Sequence, residues 1–368
     1  VVVLILLHVN LFAKESLYLH FPSELPSTNT QTSFGIELIR LINNAQHEIK
    51  FAIYGLRGQE EILKALMLAK KRGVEIKGVV DSDSHGENYY DDTHLLYQYF
   101  DIKSDHISYI MHNKFFIFDD NIVWTGSANL SDTGTGGYNA NNVVVIDDKK
   151  IASIYEDEFD QMFHKKKFNN KKYEHSHKNI KTSDSTIGVF FSPKSNTYEE
   201  GIKELVKNAK KYIYIPIFYL THEDLSYELI KAYKRGVDIK IILDATAARN
   251  NYSKHKLLRE EGIEVKVENF GGKMHAKSMI IDDKYIVSGS MNFTKAGNSK
   301  NDENTLIIKN EKLAKQYKEY FMNLWRHIPR RYLHVDPNAE SLESGKSCED
   351  GIDNDFDGRK DMKDASCK

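Results

Sequence analysis

Two copies of one constellation of basic and amide residues lie 163 positions apart in this chain, and their types suit displacement at phosphorus. The first copy places His112, Lys114 and Asp119 in an H-x-K-x4-D pattern, followed by Gly126-Ser127-Ala128-Asn129. The second places His275, Lys277 and Asp282 in the same pattern, followed by Gly289-Ser290-Met291-Asn292. Attack on a phosphodiester needs a nucleophile on one side of phosphorus and a proton donor for the leaving oxygen on the other. Imidazole serves as either, one ring starting neutral and one protonated, as an ordinary pKa near about 6.5 permits. The ammonium groups of Lys114 and Lys277, with the amides of Asn129 and Asn292, suit the charge that grows on the non-bridging oxygens. Ser127 and Ser290 offer further donors to substrate, and Gly126 and Gly289 allow close approach of the backbone.

A single H-x-K-x4-D is weak evidence, because three fixed positions recur by accident. A histidine on a strand is also more often a satisfied structural residue, and a lysine two positions on a solvated tip. The duplication decides against that reading. A purely structural repeat has no reason to keep a polar pair on strands this apolar in both halves. Strand alternation puts His112 and Lys114 on one face, about 6.5–7 Å apart along the chain, and does the same for His275 and Lys277. Neither motif alone supplies both a nucleophile and an acid. The two halves are therefore expected to face each other across a pseudo-twofold axis, with the site at their interface.

The repeat also describes the fold. Residues 71–81 match residues 234–244 at the same offset, and residues 41–53 pair with 205–217 after a one-residue slip. Ile62, Leu66 and Ala69 share one helical face, Gly73 suits the left-handed position after the last turn, and Val74 to Val80 is an apolar strand. Leu225, Leu229, Ala232, Gly236 and the run from Val237 to Leu243 repeat this βαβ pattern. The expectation is an α/β chain of two homologous α/β/α domains, with mixed, largely parallel sheets covered by helices on both faces. Residues 111–126 read instead as a hairpin, because Asp119-Asp120-Asn121 breaks two apolar runs as a turn does.

Both motifs resemble the HKD signature of the phospholipase D superfamily, and the repeat carries that resemblance from about residue 20 to residue 333. Domains at 17–163 and 187–333 follow. The segment from Gly289 to Ala296, with Asn301-Asp302-Glu303-Asn304, is similar to the bacterial and mitochondrial HKD nuclease branch. Cardiolipin synthases typically carry an Asp and an Arg-Ser shortly after G-S-x-N, which this chain lacks. The resemblance implies a two-step, metal-independent reaction through a phosphohistidine, with His112 as nucleophile, His275 as general acid, and Lys114, Lys277, Asn129 and Asn292 on the phosphate. Asp119 and Asp282 are expected to brace the hairpins. Where the second half has Glu303 the first has Asn141, near the substrate. The resemblance implies that Glu303 orients His112 from the opposite half, while neutral Asn141 leaves His275 the better acid.

Between the domains, residues 164–186 begin polar and Lys-rich without periodicity, which suggests a basic surface linker; a track for a nucleic-acid backbone is the alternative. Residues 1–13 are apolar and too short to span a bilayer, and resemble the remnant of a signal peptide; a β-branched first strand is the alternative. Only two cysteines occur, Cys348 and Cys367, and they bracket an acidic tail at 341–368, which suggests a disulfide and a secreted, periplasmic or cell-surface location. Asp353, Asp355, Asp357, Asp361 and Asp364, with Gly358, follow the spacing of an EF-hand-like calcium loop. A disordered acidic tail closed by a disulfide is the other reading. Either way the tail is expected to be remote from the histidines, with any calcium structural and no cofactor needed for catalysis.

The formal net charge of −2 gives no global basic field, so nucleic-acid binding is permitted but not demanded. A nuclease acting on DNA or RNA is the first expectation and a phospholipase D or phosphatidyltransferase acting on lipid headgroups the second; a non-catalytic polyanion binder is disfavoured by the intact His-Lys pairs. Because both half-sites lie in one chain, a monomer suffices.

Overall fold

The apolar periodicity folds as its spacing requires. In the computed structural model, which describes residues 15–84, 89–106 and 108–368, the helix Glu60–Lys71 buries Ile62, Leu66 and Ala69. Gly73 follows at φ 96°, and the next apolar run becomes a strand. The helix Glu223–Lys234 repeats this with Leu225, Leu229 and Ala232, and Gly236 follows at φ 93°. The first half supplies β1 (Glu15–Leu19), β2 (Glu48–Ile53), β3 (Glu75–Val80), β4 (Asp101–Ser104), β5 (Phe115–Phe118), β6 (Ile122–Gly126) and β7 (Asn142–Asp147), in spatial order β1-β7-β6-β5-β2-β3-β4. The second sheet uses β8 (His177–Lys181), β9 (Thr186–Ser192), β10 (Tyr212–Ile217), β11 (Asp238–Leu243), β12 (Glu264–Val267), β13 (Met279–Ile281), β14 (Tyr285–Gly289) and β15 (Glu303–Lys309). Their order is β12-β11-β10-β13-β14-β15-β9-β8.

The two sheets are mixed and helix-covered, but they are not largely parallel. Parallel pairing is confined to β2-β3-β4 and β10-β11-β12, and the remaining ladders are antiparallel. The cause is the motif hairpin. β5 and β13 enter antiparallel beside β2 and β10, and each chain then meanders outward instead of crossing over.

Each hairpin turns where the acidic residues predict. Asp119 and Asp120 take φ of 50° and 53°, and Asp282 and Asp283 take 58° and 56°. The Asp119 carboxylate accepts the N–H groups of Gln46, His47 and Glu48 at 2.9, 2.7 and 3.0 Å. Asp282 accepts those of Lys210, Lys211 and Tyr212 at 2.7, 2.7 and 3.0 Å. Both aspartates therefore tie the hairpin tip to the start of the neighbouring strand, where such short polar side chains tolerate left-handed backbone.

The halves share a core as well as having their own. The helix Lys149–Phe163 packs on β2, β3, β5 and β6 and also on β8 and β9 across the divide; the helix Glu311–His327 packs on β10, β13 and β14 and also on β1. One hydrophobic cluster joins Phe115, Tyr155 and Phe159 of the first half to Phe191, Ile280 and Phe321 of the second. The segment at 164–186 is not simply a solvated linker. Phe168, Asn169 and Lys172 are buried, and residues 177–181 form the edge strand β8. Lys172 is paired with Glu158 and lies 2.6 Å from Asp302, and Asn169 donates its N–H to Asp302 at 2.9 Å. Lysines read as exposed included one that neutralises two buried carboxylates. Among the described residues no helix is long and apolar enough to cross a membrane, and residues 1–13 lie outside the described chain.

Candidate active site

Each histidine is fixed by both halves. His112 and His275 sit in extended segments just before β5 and β13. Asp81, at the end of β3, accepts the Met111 N–H at 2.6 Å, and Asp244, at the end of β11, accepts that of Met274 at 3.1 Å. The His112 N–H donates across the divide to the Asp302 carbonyl at 2.8 Å, and the His275 N–H to the Ala140 carbonyl at 2.9 Å. Further in, the Asn304 side chain donates to Thr125 at 2.7 Å and that of Asn142 to Ser288 at 2.6 Å. The pseudo-twofold axis is thus written in pairs of reciprocal hydrogen bonds.

The imidazoles have different partners. His112 Nδ1 lies 2.8 Å from Glu303 Oε2, and His275 Nδ1 lies 3.0 Å from Asn141 Oδ1. Each partner is the residue expected from the opposite half. Ser290 donates to Glu303 at 2.6 Å and Ser127 to Asn141 at 2.8 Å, and both serines are fully buried. Ser127 and Ser290 therefore hold the residues that orient the imidazoles and do not reach substrate, and Asn141 is engaged by His275 in the same way. The two glycines before them are close-packed against the neighbouring strand. A Cβ on Gly126 would stand 2.2 Å from the Asn142 carbonyl oxygen, and one on Gly289 would stand 2.2 Å from that of Asn304.

Both imidazoles open into one cavity of about 460 Å³. Its wall includes Asn129 and Asn292, together with Tyr54, Tyr89, Tyr90, Tyr138, Phe218 and Tyr219. Asn129 donates to the Tyr90 hydroxyl at 2.7 Å, and the Asn292 oxygen accepts the Tyr219 N–H at 3.4 Å. Lys114 and Lys277 lie beneath, each donating to the carbonyl of its own histidine, at 2.9 and 2.6 Å. Lys277 also lies 4.9 Å from the centre of the Phe218 ring. Tyr54 and Phe218 occupy equivalent positions, each directly after the paired segments 41–53 and 205–217, so the repeat itself could have found them; Tyr89, Tyr90 and Tyr138 lie in loops outside the matched stretches.

Four basic groups are concentrated around Glu303, with Asp81 and Asp244 farther off. Burial drives the His112 pKa down to about 4, against an upward pull from Glu303. Burial also drives Lys114 down to about 7, and takes His275 and Lys277 well below their usual values, with Lys114 repelling both. The ordinary imidazole value expected from sequence is therefore not what this site has. Burial thus favours the neutral form of both rings, and a bound anion opposes it. A phosphodiester supplies that anion, and its charge favours the protonated form of every group that faces it.

The C-terminal tail is not remote. Ile352, Asn354 and Phe356 line the same cavity as the histidines. The tail is closed by a Cys348–Cys367 disulfide, as expected. Carboxylate oxygens of Asp353, Asp355 and Glu340 cluster within 4.8 Å of one another, as do those of Asp355, Asp357 and Asp364. These hard oxygen donors fit calcium. Asp361 belongs to neither cluster; its carboxylate accepts the Gly351 N–H at 3.0 Å. Glu340, outside the loop, takes a place that spacing alone does not reveal; its pKa is pushed up to about 7 by burial.

Comparison with known proteins divides the chain as the repeat does. A family model described as "Cardiolipin synthase, PLD-like domain" matches residues 38–163 and again 202–325. A protein named phospholipase D from Rickettsia conorii is 32% identical over 148 residues, covering 40% of this chain and 74% of its own length. The human mitochondrial cardiolipin hydrolase is 28% identical over 130 residues, 35% of this chain and 52% of its own length. Among solved structures, Nuc from Salmonella typhimurium is 30% identical, covers 40% of this chain and 97% of its own, and has a TM-score of 0.37. A phosphatidylserine synthase from Haemophilus influenzae shares the fold over 89% of this chain and 91% of its own, with 17% identity and a TM-score of 0.66.

Proposed function

The chain belongs to the phospholipase D-like family of phosphodiesterases, and from that premise we propose that it is a metal-independent nuclease working through a phosphohistidine. The supporting observation is that two imidazoles, each oriented by the opposite half, share one cavity with aromatic walls. Aromatic faces stack on nucleobases whatever their sequence, which suits a single strand of nucleic acid.

Phosphate would enter between the histidines, with Lys114 and Lys277 against its non-bridging oxygens. Glu303 accepts the Nδ1 proton of His112, which leaves Nε2 as the nucleophile. Attack forms the N–P bond and breaks the P–O bond to the leaving alkoxide, which takes a proton from His275. Glu303 then balances the positive charge of the phosphorylated ring. Water attacks phosphorus in the second step, gives a proton to the now neutral His275, and the N–P bond breaks to restore His112.

Phospholipid is the competing substrate, supported by the names of several relatives. Purified full-length protein incubated in EDTA with single-stranded DNA, duplex DNA, RNA and phospholipid vesicles is the test. Cleavage of nucleic acid in EDTA is expected; cleavage of vesicles alone would replace the nuclease reading with a phospholipase D or phosphatidyltransferase acting on lipid headgroups. We also propose that the protein works as a monomer outside the cytoplasm, a location that the disulfide supports, and that the tail carboxylates of Asp353, Asp355, Asp357 and Asp364 hold a structural calcium ion. Calcium titration of the chelated protein, followed calorimetrically, tests the last point.

A further inference from the structure

The cavity has a wall that neither repeat supplies. The tail reaches it through contacts outside the two motifs: the Tyr138 hydroxyl donates to Asp350, Arg249 pairs with Asp355, and the Asn354 carbonyl accepts from Thr246 at 2.8 Å and from Lys273 Nζ at 2.9 Å. Lys273 precedes His275 by two positions and also lines the cavity. In the first half the equivalent position is Ile110, also on the cavity wall. The second-half side of the cleft therefore holds a cation that the first-half side lacks.

Lys273 spends two of its three donors on Asn354 and Thr246, at 2.9 and 2.8 Å. Its ammonium lies 4.6 Å from the centre of the Phe356 ring, which remains 64% exposed. Phe356 adopts a left-handed backbone, φ 62°, that turns its side chain out of the acidic loop. Asp353 and Asp357 are turned the other way, into the loop's own backbone, while Asp350 is held by the Tyr138 hydroxyl and the Asn354 amide and Asp355 by Arg249. Asp353 accepts the N–H groups of Asp357 and Gly358 at 3.1 and 2.8 Å, and Asp357 accepts that of Arg359 at 2.8 Å. An acidic segment thus shows the cleft an apolar ring beside an ammonium with a donor to spare.

We propose that Lys273 and Phe356 form a subsite for the nucleotide adjoining the scissile phosphate, with Lys273 on the neighbouring phosphate and the free face of Phe356 under its base. The assignment rests on the nuclease reading and adds to it a residue pair that sets substrate preference from one side of the cleft. A minimal diester with neither a base for Phe356 nor a second phosphate for Lys273, methyl 4-nitrophenyl phosphate, cannot use this subsite. The readout is the ratio of kcat/KM for a short single-stranded oligonucleotide to kcat/KM for that diester. Phe356→Ala should lower the ratio about tenfold, mainly through KM for the oligonucleotide, as loss of one base stack does. Phe356→Tyr should restore it, and Lys273→Met should lower it in a salt-dependent manner. An unchanged ratio in Phe356→Ala, or a ratio that Phe356→Tyr fails to restore, overturns the subsite while leaving the nuclease standing. A wild-type protein that hydrolyses the small diester and no oligonucleotide overturns both.

Discussion

The two half-sites share a backbone plan and give their histidines different partners. His112 faces the carboxylate of Glu303 and His275 the amide of Asn141, yet the strands, serines and cross-half hydrogen bonds that hold them are the same. A carboxylate lowers the free energy of a positively charged ring, and an amide oxygen does so much less. On the proposed mechanism this suits His112 to the step in which an imidazole gains a phosphoryl group and a charge, and His275 to handing over a proton. The repeat supplies two equivalent histidines, and their partner positions differ in charge.

Removing each ring in turn gives the largest expected effects. His112→Asn should abolish turnover of every diester, by about 10⁴-fold or more, and leave no acid-labile phosphoenzyme. His275→Asn should be equally inactive on a natural strand but retain measurable burst formation with bis(4-nitrophenyl) phosphate, whose leaving group needs no proton. Rapid-quench measurement of the phosphoenzyme separates the two. A burst in His112→Asn and none in His275→Asn would reverse the assignment.

Glu303→Gln sharpens the same difference with a smaller effect. It should reduce kcat/KM about 10²-fold, whereas Asn141→Ala should cost less than about tenfold. The pH profile adds a sign. Burial lowers the His112 pKa to about 4 and Glu303 pulls it up. Activity that needs neutral His112 is lost as pH falls through that value, so removing Glu303 should move the acid limb to lower pH while the plateau drops. An acid limb that stays in place would mean that His112 does not govern it.

The motif, the repeat and the exchange of Glu303 for Asn141 were legible because each is a matter of residue type at fixed spacing. Burial was not. Ser127 and Ser290 look like donors to substrate in the sequence, and only the strand pairing of β6 with β7 and β14 with β15 shows them turned inward. Lys172 looks solvated for the same reason, until Glu158 and Asp302 are found on either side of it. The parallel βαβ units at one end of each sheet were readable from Gly73 and Gly236. The antiparallel meander at the other end depends on where the hairpins insert, which local pattern does not encode.

The two hairpin tips give a test in which the halves should behave alike. Asp119 and Asp282 each accept three backbone N–H groups and touch nothing in the cavity. Asp119→Ala and Asp282→Ala should each destabilise by about 2 kcal/mol, with kcat largely retained at a temperature where both stay folded. Denaturant melts check this. A large loss of kcat in only one of them would show that the halves differ in more than the histidine partners.

The smallest expected effect concerns the tail, which borders the cleft and has no counterpart in the first half. It lies beside Lys273 and is closed by Cys348–Cys367. Opening the loop by Cys348→Ser with Cys367→Ser should loosen that wall while leaving the histidines, both lysines and Glu303 in place, since none of them bonds to the tail. KM for a single-stranded oligonucleotide should rise a few-fold and kcat should change little. Chelation should act in the same direction if calcium orders the same loop, so EDTA and the double Ser variant should not be additive. Their effects on KM, measured singly and together, decide the point. A fall in kcat on the small diester in either case would place the tail in the chemistry itself, and the asymmetry between the halves would then extend beyond Glu303 and Asn141.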